Sequence, residues 1–318
     1  MAVHLEFEYP IIELEEKIAA LHRYSKTHAV DLTQGMELLD QQLVATREKL
    51  FSGLTAWEKV QLARHPQRPY PQDYLQAIFS DYLELHGDRS YADDHAIVGG
   101  FAKLDGRKVM VIITQKGRNL KENLDVNFGS AQPEGYRKAL RLMKLADKVG
   151  CPIVCLIDTP GAYPGIAAEE RHIGQAIAIN LREMFRLRVP VLCVITGEGG
   201  SGGALGLCVG NRVLIMQCAY YSVITPEGCA AILWRTADAV PKAADALKLT
   251  SSDLLKLGIV DEIIPEPVGG AHRDPKTAAQ LLRKALCGNL ALLASKNEDE
   301  LRNERYERFR KLGQFSED

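Results

Sequence analysis

The sequence predicts an α/β protein built on a buried parallel sheet, and three observations carry that prediction. Two apolar runs, Cys151–Asp158 and Val189–Thr196, each empty into a glycine-bearing loop and then into a helical pattern. They superimpose at an offset of 38 residues, placing Pro152 on Pro190, Cys155 on Cys193 and Asp158 on Thr196. Strand, glycine loop, helix, strand is a βα repeat, and strands apolar along their whole length belong in a sheet covered on both faces. Upstream, Ile97–Leu104 and Lys108–Gln115 flank Asp105-Gly106, a dipeptide favoured in the tight turn of a β-hairpin.

The remaining elements follow in chain order. Ile11, Leu14, Ile18 and Leu21 step by three and four, as do Leu32, Met36, Leu39, Leu43, Thr46 and Leu50. These are the seams of two helices joined by the polar stretch 25–33. A seam does not say what it faces, so two readings stand: a helical hairpin packed on its own domain, or an arm that docks another subunit. A helix is expected over Pro133–Val149, then the strand Cys151–Asp158 and the turn-rich Thr159–Gly165. A helix from Ala167 to Leu187 leads to the second apolar strand, the loop Gly197–Gly203 and a small-residue helix. Short strands are expected at Arg212–Met216 and Tyr221–Ile224. The tail Asn297–Lys311 reads as a charge-laced helix with Leu301, Arg305, Phe309 and Leu312 on one side.

Composition narrows the function classes. The chain has 318 residues, 46% of them apolar and 25% charged, which excludes a disordered or fibrous protein. A net charge of −2 calls for neither nucleic acid nor an anionic membrane, and leaves little self-repulsion to oppose assembly. No apolar run approaches the roughly 18 residues of a membrane span. The opening places Glu6 and Glu8 where an export signal needs basic and then apolar residues, so a cytoplasmic protein is expected. The seven cysteines, mostly inside apolar runs, read as reduced core thiols. Cys151 and Cys155, four apart on a strand, would stand roughly 13 Å apart. One zinc holds its sulfurs at about 2.3 Å, so no metal is expected.

Gly197–Gly203 fits three incompatible motifs. Gly197, Gly199 and Gly202 spell the dinucleotide fingerprint G-x-G-x-x-G, but the acidic residue that should end the next strand is absent; Gln217-Cys218-Ala219 stands there. Gly199-Gly200-Ser201-Gly202-Gly203 spells the nucleophile elbow G-x-S-x-G, with His272 as the single later histidine able to serve Ser201. The third reading needs no side chain. A glycine-rich turn entering a helix presents unpaired N–H groups, backed by the helix dipole, to an oxyanion forming on a ligand. Gly202 and Gly203, at the helix start, are the candidate donors. A phosphate-binding P-loop is excluded, because no Lys-Ser or Lys-Thr follows the glycines.

Several segments together resemble a known family. They are Asp158-Thr-Pro-Gly-Ala-Tyr-Pro-Gly165 with Ala168-Glu-Glu-Arg171, Gly197-Glu-Gly-Gly-Ser-Gly-Gly-Ala204, Tyr221-Ser-Val-Ile-Thr-Pro-Glu-Gly228 and Pro265-Glu-Pro-Val-Gly-Gly-Ala-His272. Arg64-His-Pro-Gln-Arg-Pro69, Gly87-Asp-Arg89 and Pro133–Arg141 extend the match upstream. In order, and over nearly the whole chain, this is similar to the alpha subunits of bacterial acetyl-coenzyme A carboxylase carboxyltransferase.

The resemblance implies a crotonase-like fold of repeated ββα units, with an N-terminal helical arm over 1–55, the carboxyltransferase domain over 56–295 and a C-terminal helix over 296–318. It implies carboxyl transfer from carboxybiotin, carried on the biotin carboxyl carrier protein, to acetyl-CoA, forming malonyl-CoA for fatty acid synthesis. It implies an α2β2 complex that works with biotin carboxylase, the zinc lying on the beta chain. Gly202 and Gly203 would hold the biotin ureido oxygen, and Gly161, Gly165, Gly199 and Gly200 would line the substrate site. The alternative is a serine hydrolase using Ser201 and His272. Lys116, Arg118 and Arg171 lie near enough to the loops to meet CoA phosphates or carboxybiotin, but are expected to be solvated or ion-paired surface residues. The chain departs from the family pattern at 126–130 and 172–175, so no roles are carried over there.

Overall fold

The computed structural model describes residues 4–28 and 31–313. Eight strands form one sheet: β1 (Ser80–Glu84), β2 (Ile97–Leu104), β3 (Arg107–Thr114), β4 (Ile153–Thr159), β5 (Val191–Gly200), β6 (Arg212–Met216), β7 (Tyr220–Ser222) and β8 (Glu262–Ile264). The order across the sheet is β1-β2-β3-β4-β5-β6-β8, with β7 paired to the far end of β5. The β2–β3 hairpin is antiparallel and turns at Asp105 and Gly106, both with positive φ, as the Asp-Gly signal requires. From β3 onward every pairing is parallel. Cys155 lies opposite Cys193, the partnership that the 38-residue repeat predicts. Every residue of β4 and β5 is buried, which is why these strands carry no alternation of polar and apolar residues.

Three sequence expectations need correction. Gly197–Gly200 is not loop but the end of β5, because β7 arrives to bond it in the register Glu198↔Tyr220 to Gly200↔Ser222. The helix that follows is a single turn, Ser201–Leu205. The helix expected over Ala167–Leu187 is two, Ile166–Glu170 and Ile173–Met184, broken at His172 with φ +64°. No glycine or proline marks that break. The adjacent Arg171 is drawn instead onto Glu134 and Gln132, at the start of the helix Pro133–Lys148. β1 and β8 were not anticipated: one is a largely exposed edge, the other three residues long.

The two N-terminal helices, Tyr9–His28 and Thr33–Ser52, share a small core of Ile11, Leu14, Ile18 and Leu43, flanked by Leu39, Leu50 and Phe51. At its root the hairpin is pinned to its own chain. Arg273 donates to Glu8 at 3.2 Å and to Glu15 at 2.8 Å. The C-terminal helix Glu298–Arg310 opens on Asn297, whose side chain accepts from Glu300 N at 3.0 Å. Its fully buried Arg305 donates to the carbonyls of Met184, Leu187 and Val189 at 2.7–3.0 Å, so the tail is fastened to the body by backbone acceptors.

Candidate active site

The site is built where β4 and β5 fall out of step. Their register runs evenly to Ile157↔Ile195 and resumes at Thr159↔Gly199, so β5 takes four residues where β4 takes two. Such a bulge bends and re-aims the strand that carries it. Here it turns Gly200 toward the loop after β4 and Gly199 toward β7, and the fit leaves no space for a side chain at either. A Cβ on Gly200 would stand 2.1 Å from Pro160 O, and one on Gly203 would stand 2.4 Å from Gly161 C and Ala162 N. One on Gly199 would meet Tyr221 Cδ2 at 2.9 Å. Gly161 itself needs its freedom, with φ +151° and its N–H bonded to Thr159 Oγ1 at 3.1 Å.

Of the glycines singled out from sequence, Gly161, Gly200 and Gly203 therefore meet in one corner, with Gly199 and Gly202 adjoining them along the chain. Gly165 does not join their close approach: it precedes the helix Ile166–Glu170 and presses on the ring of Tyr163, 2.3 Å from where a Cβ would lie. Ser201, Gly202 and Gly203 hold the first three amides of their helix, where an N–H has no intrahelical acceptor. Gly202 is half-buried and a Cβ there would meet only Ile177 Cδ1, at 3.7 Å. Gly203 is buried, and its carbonyl accepts from Tyr136 Oη at 3.2 Å. Gly202 opens on an apolar cavity of about 830 Å³ walled by Leu205, Tyr221, Val223, Leu257 and Phe309.

Beneath the corner lies a network of charge centred on the buried carboxylates of Asp158 and Glu198. Lys116 Nζ bridges Asp158 Oδ1 at 2.6 Å and Glu198 Oε1 at 2.7 Å. Glu198 Oε2 accepts from Arg64 Nε at 2.7 Å and Tyr220 Oη at 2.6 Å, and Arg64 also reaches Glu227 at 2.5 Å. Burial alone would raise the pKa of Glu198, but the charges of Lys116 and Arg64 outweigh it and hold the carboxyl at about 2. Burial likewise works against the Lys116 ammonium, and Asp158 and Glu198 reverse it, keeping the lysine charged. The two cations are thus committed to three carboxylates, and no histidine takes part.

Lys116 is thus paired, and it is half-buried rather than on the open surface. Arg171 pairs with Glu134, and Arg118 with Asp73. Arg64, Glu198 and Tyr220 were not foreseen as a unit. The one available signal was Glu198, an acidic residue set among five glycines in a strand-to-helix turn.

Ser201 adopts the left-handed φ of +49° that a strand-to-helix elbow imposes, yet among the described residues no histidine is hydrogen-bonded to it, and His272 is committed elsewhere. His272 lines a different, polar cavity, and its Nε2 lies 3.1 Å from Glu8 Oε1. Glu8, His65 and His272 are also the single cluster with metal-ligand character among the described residues. The imidazoles of His65 and His272 stack at 4.2 Å between centroids, Arg273 Nε and Leu5 N both donate to the Glu8 carboxylate, and the group reads as a hydrogen-bonded anchor for the arm.

Comparison with known proteins agrees with this architecture. The family described as acetyl co-enzyme A carboxylase carboxyltransferase-like matches residues 4–313. A protein of Thermus thermophilus named acetyl-coenzyme A carboxylase carboxyl transferase subunit alpha is 55% identical over 313 residues, covering 98% of this chain and 99% of its own. Its namesake in Halorhodospira halophila is 53% identical, covering 98% of each chain. Among solved structures, transcarboxylase 12S with methylmalonyl-coenzyme A bound superimposes with a TM-score of 0.59 at 23% identity, over 72% of this chain and 42% of that one. A Pseudomonas malonate decarboxylase hetero-tetramer in complex with coenzyme A gives 0.59 at 17% identity, over 73% and 90%. These distant likenesses speak for the fold, which is crotonase-like. No described helix is long and apolar enough to cross a membrane. With near-complete coverage at more than half identity, the chain belongs to the family of acetyl-coenzyme A carboxylase carboxyltransferase alpha subunits.

Proposed function

We propose that this chain is the biotin-side half of a carboxyltransferase, moving a carboxyl group from biotin on a carrier protein to acetyl-CoA and so forming malonyl-CoA for fatty acid synthesis. The observation that carries the reading is the corner itself: Gly203 is packed backbone on backbone against Gly161 and Ala162, and the adjoining Gly202 opens on an apolar cavity. Carboxylated biotin, when bound, supplies the carboxyl group and gathers negative charge on its ureido oxygen as that group leaves. Gly202 and Gly203 offer that oxygen fixed N–H donors, which need no reorganisation when the charge appears. The apolar wall excludes water and so strengthens the interaction. Lys116, Arg64 and Glu198 are committed to one another, and no side chain of the corner stands ready to take a proton. The acetyl-CoA half and its own oxyanion site belong, in this reading, to a separate beta subunit in an α2β2 assembly.

The test is reconstitution with a cognate beta subunit, free biotin and malonyl-CoA, following decarboxylation. Gly202→Pro removes one N–H in the first turn of its helix, where no intrahelical bond is lost, and the rate should fall by about 10²–10³-fold. An unchanged rate would overturn the amide reading. Ser201→Ala should leave carboxyl transfer intact, whereas a hydrolase would lose its nucleophile.

A further inference from the structure

We infer that Asp158 is a positioning residue for the Gly202–Gly203 amides, acting through the register slip between β4 and β5; the inference rests on the oxyanion role given to those amides above. Asp158 sits inside the slip, between the last even pair, Ile157↔Ile195, and the first displaced one, Thr159↔Gly199. The slip strips β5 of regular partners on this side, and Asp158 supplies the missing acceptor: its Oδ1 takes the Glu198 N–H at 2.8 Å. The same oxygen takes Lys116 Nζ at 2.6 Å, and Lys116 carries the connection on to the Glu198 side chain at 2.7 Å. Glu198 is therefore gripped twice, by its main chain and, through Lys116, by its carboxylate.

The carboxylate is itself held in place. Asp158 N donates to Thr114 Oγ1 at 2.6 Å, tying it to β3. Its Oδ2 is buried without a hydrogen-bond partner, so the bonding of the side chain is concentrated on Oδ1. Gly197 packs on the carboxylate so closely that a Cβ would lie 2.7 Å from Cγ and both oxygens. Two residues beyond Glu198 come Gly200 and then the helix bearing the two amides. A small rotation at Glu198 is carried along this short, tightly packed backbone to the donors, and a catalytic geometry misplaced by about 1 Å can lose 10²-fold in rate.

The experiment uses the reconstituted complex, reading kcat and KM for malonyl-CoA decarboxylation. Asp158→Ala should lower kcat at least tenfold with KM within twofold. Asp158→Asn retains an oxygen to face the Glu198 N–H and should recover to within threefold of the native rate. Combined with Gly202→Pro, Asp158→Ala should add less than threefold, because the two act on one device. Should the alanine variant fail to fold, Gly197→Ala reads the same device, pushing the carboxylate off Glu198 N while keeping its charge, and a tenfold loss in kcat is again expected. The inference is overturned if Asp158→Ala, or Gly197→Ala in its place, keeps kcat within twofold, if Asn is as slow as Ala, or if the losses multiply in the double variant. Failure of the amide reading is distinguishable, since Gly202→Pro alone would then leave the rate unchanged.

Discussion

Arg68 and Glu266 meet through two parallel hydrogen bonds of 2.9 and 2.6 Å with both side chains essentially out of water. Arg68 Nε also donates to Thr196 O at 2.9 Å, and Glu266 accepts from the amides of Cys218 and Ala271. Burial would raise the pKa of the Glu266 carboxyl, and the guanidinium reverses this, so the acid stays ionised. Replacing a buried pair whole can be neutral, but removing one member strands a charge. Arg68→Met should therefore cost about 3–5 kcal/mol in a denaturant titration. A loss below about 1 kcal/mol would mean that water or another cation reaches Glu266. Because Thr196 opens the stretch of β5 that slips, the same variant should weaken the corner as well as the fold.

The element with the most separable anchorage is the N-terminal hairpin, whose core shares no residue with the main one. Its root depends on Glu8. Burial opposes ionisation of this carboxyl, but hydrogen bonds from His272 and the Leu5 amide, with the charges of His272 and Arg273, bring it from 4.5 down to about 2. A depressed carboxylate stabilises fully above its unfolded pKa and is lost as pH falls through the folded one. The arm should thus be firmly seated above pH 4.5 and loosen toward pH 2. Hydrogen exchange of the amides in Tyr9–Ser52, corrected for intrinsic rates, should report the loosening in the native chain. In Glu8→Gln, protection should be weak at neutral pH and nearly flat with acid. Equal protection in both chains would show that apolar packing alone seats the arm.

Across the whole molecule, six of the seven cysteines are buried and Cys287 alone is partly accessible. A thiol reacts as an exposed thiolate, and burial raises the pKa of Cys193 and Cys218 further. A chromogenic disulfide reagent should therefore titrate about one thiol in the folded protein, Cys287, and all seven after unfolding. Rapid labelling of three or more would indicate that the sheet opens.

What was legible in advance follows from the range of the forces involved. The paired strands, the Asp-Gly hairpin and the glycine corner are written in local pattern and in missing Cβ atoms, which a sequence displays directly. The network beneath the corner joins Arg64 to Glu198 and Lys116 to Asp158, residues that only the folded sheet brings together, and its one local signal is the acidic Glu198 among its glycines. The break at His172 was hidden for the same reason, since Arg171 is drawn aside by Glu134 on another helix. The extension of β5 depended on β7 arriving from 22 residues further along.

That borrowed pairing has a bearing on how the protein is made. The near half of β5 can zip onto β4 as soon as both have left the ribosome, but Glu198–Gly200 must wait until Tyr220–Ser222 has been synthesised. A polypeptide cut short before that point would own a respectable sheet and no working centre, so competence is conferred late in synthesis, after most of the scaffold already stands.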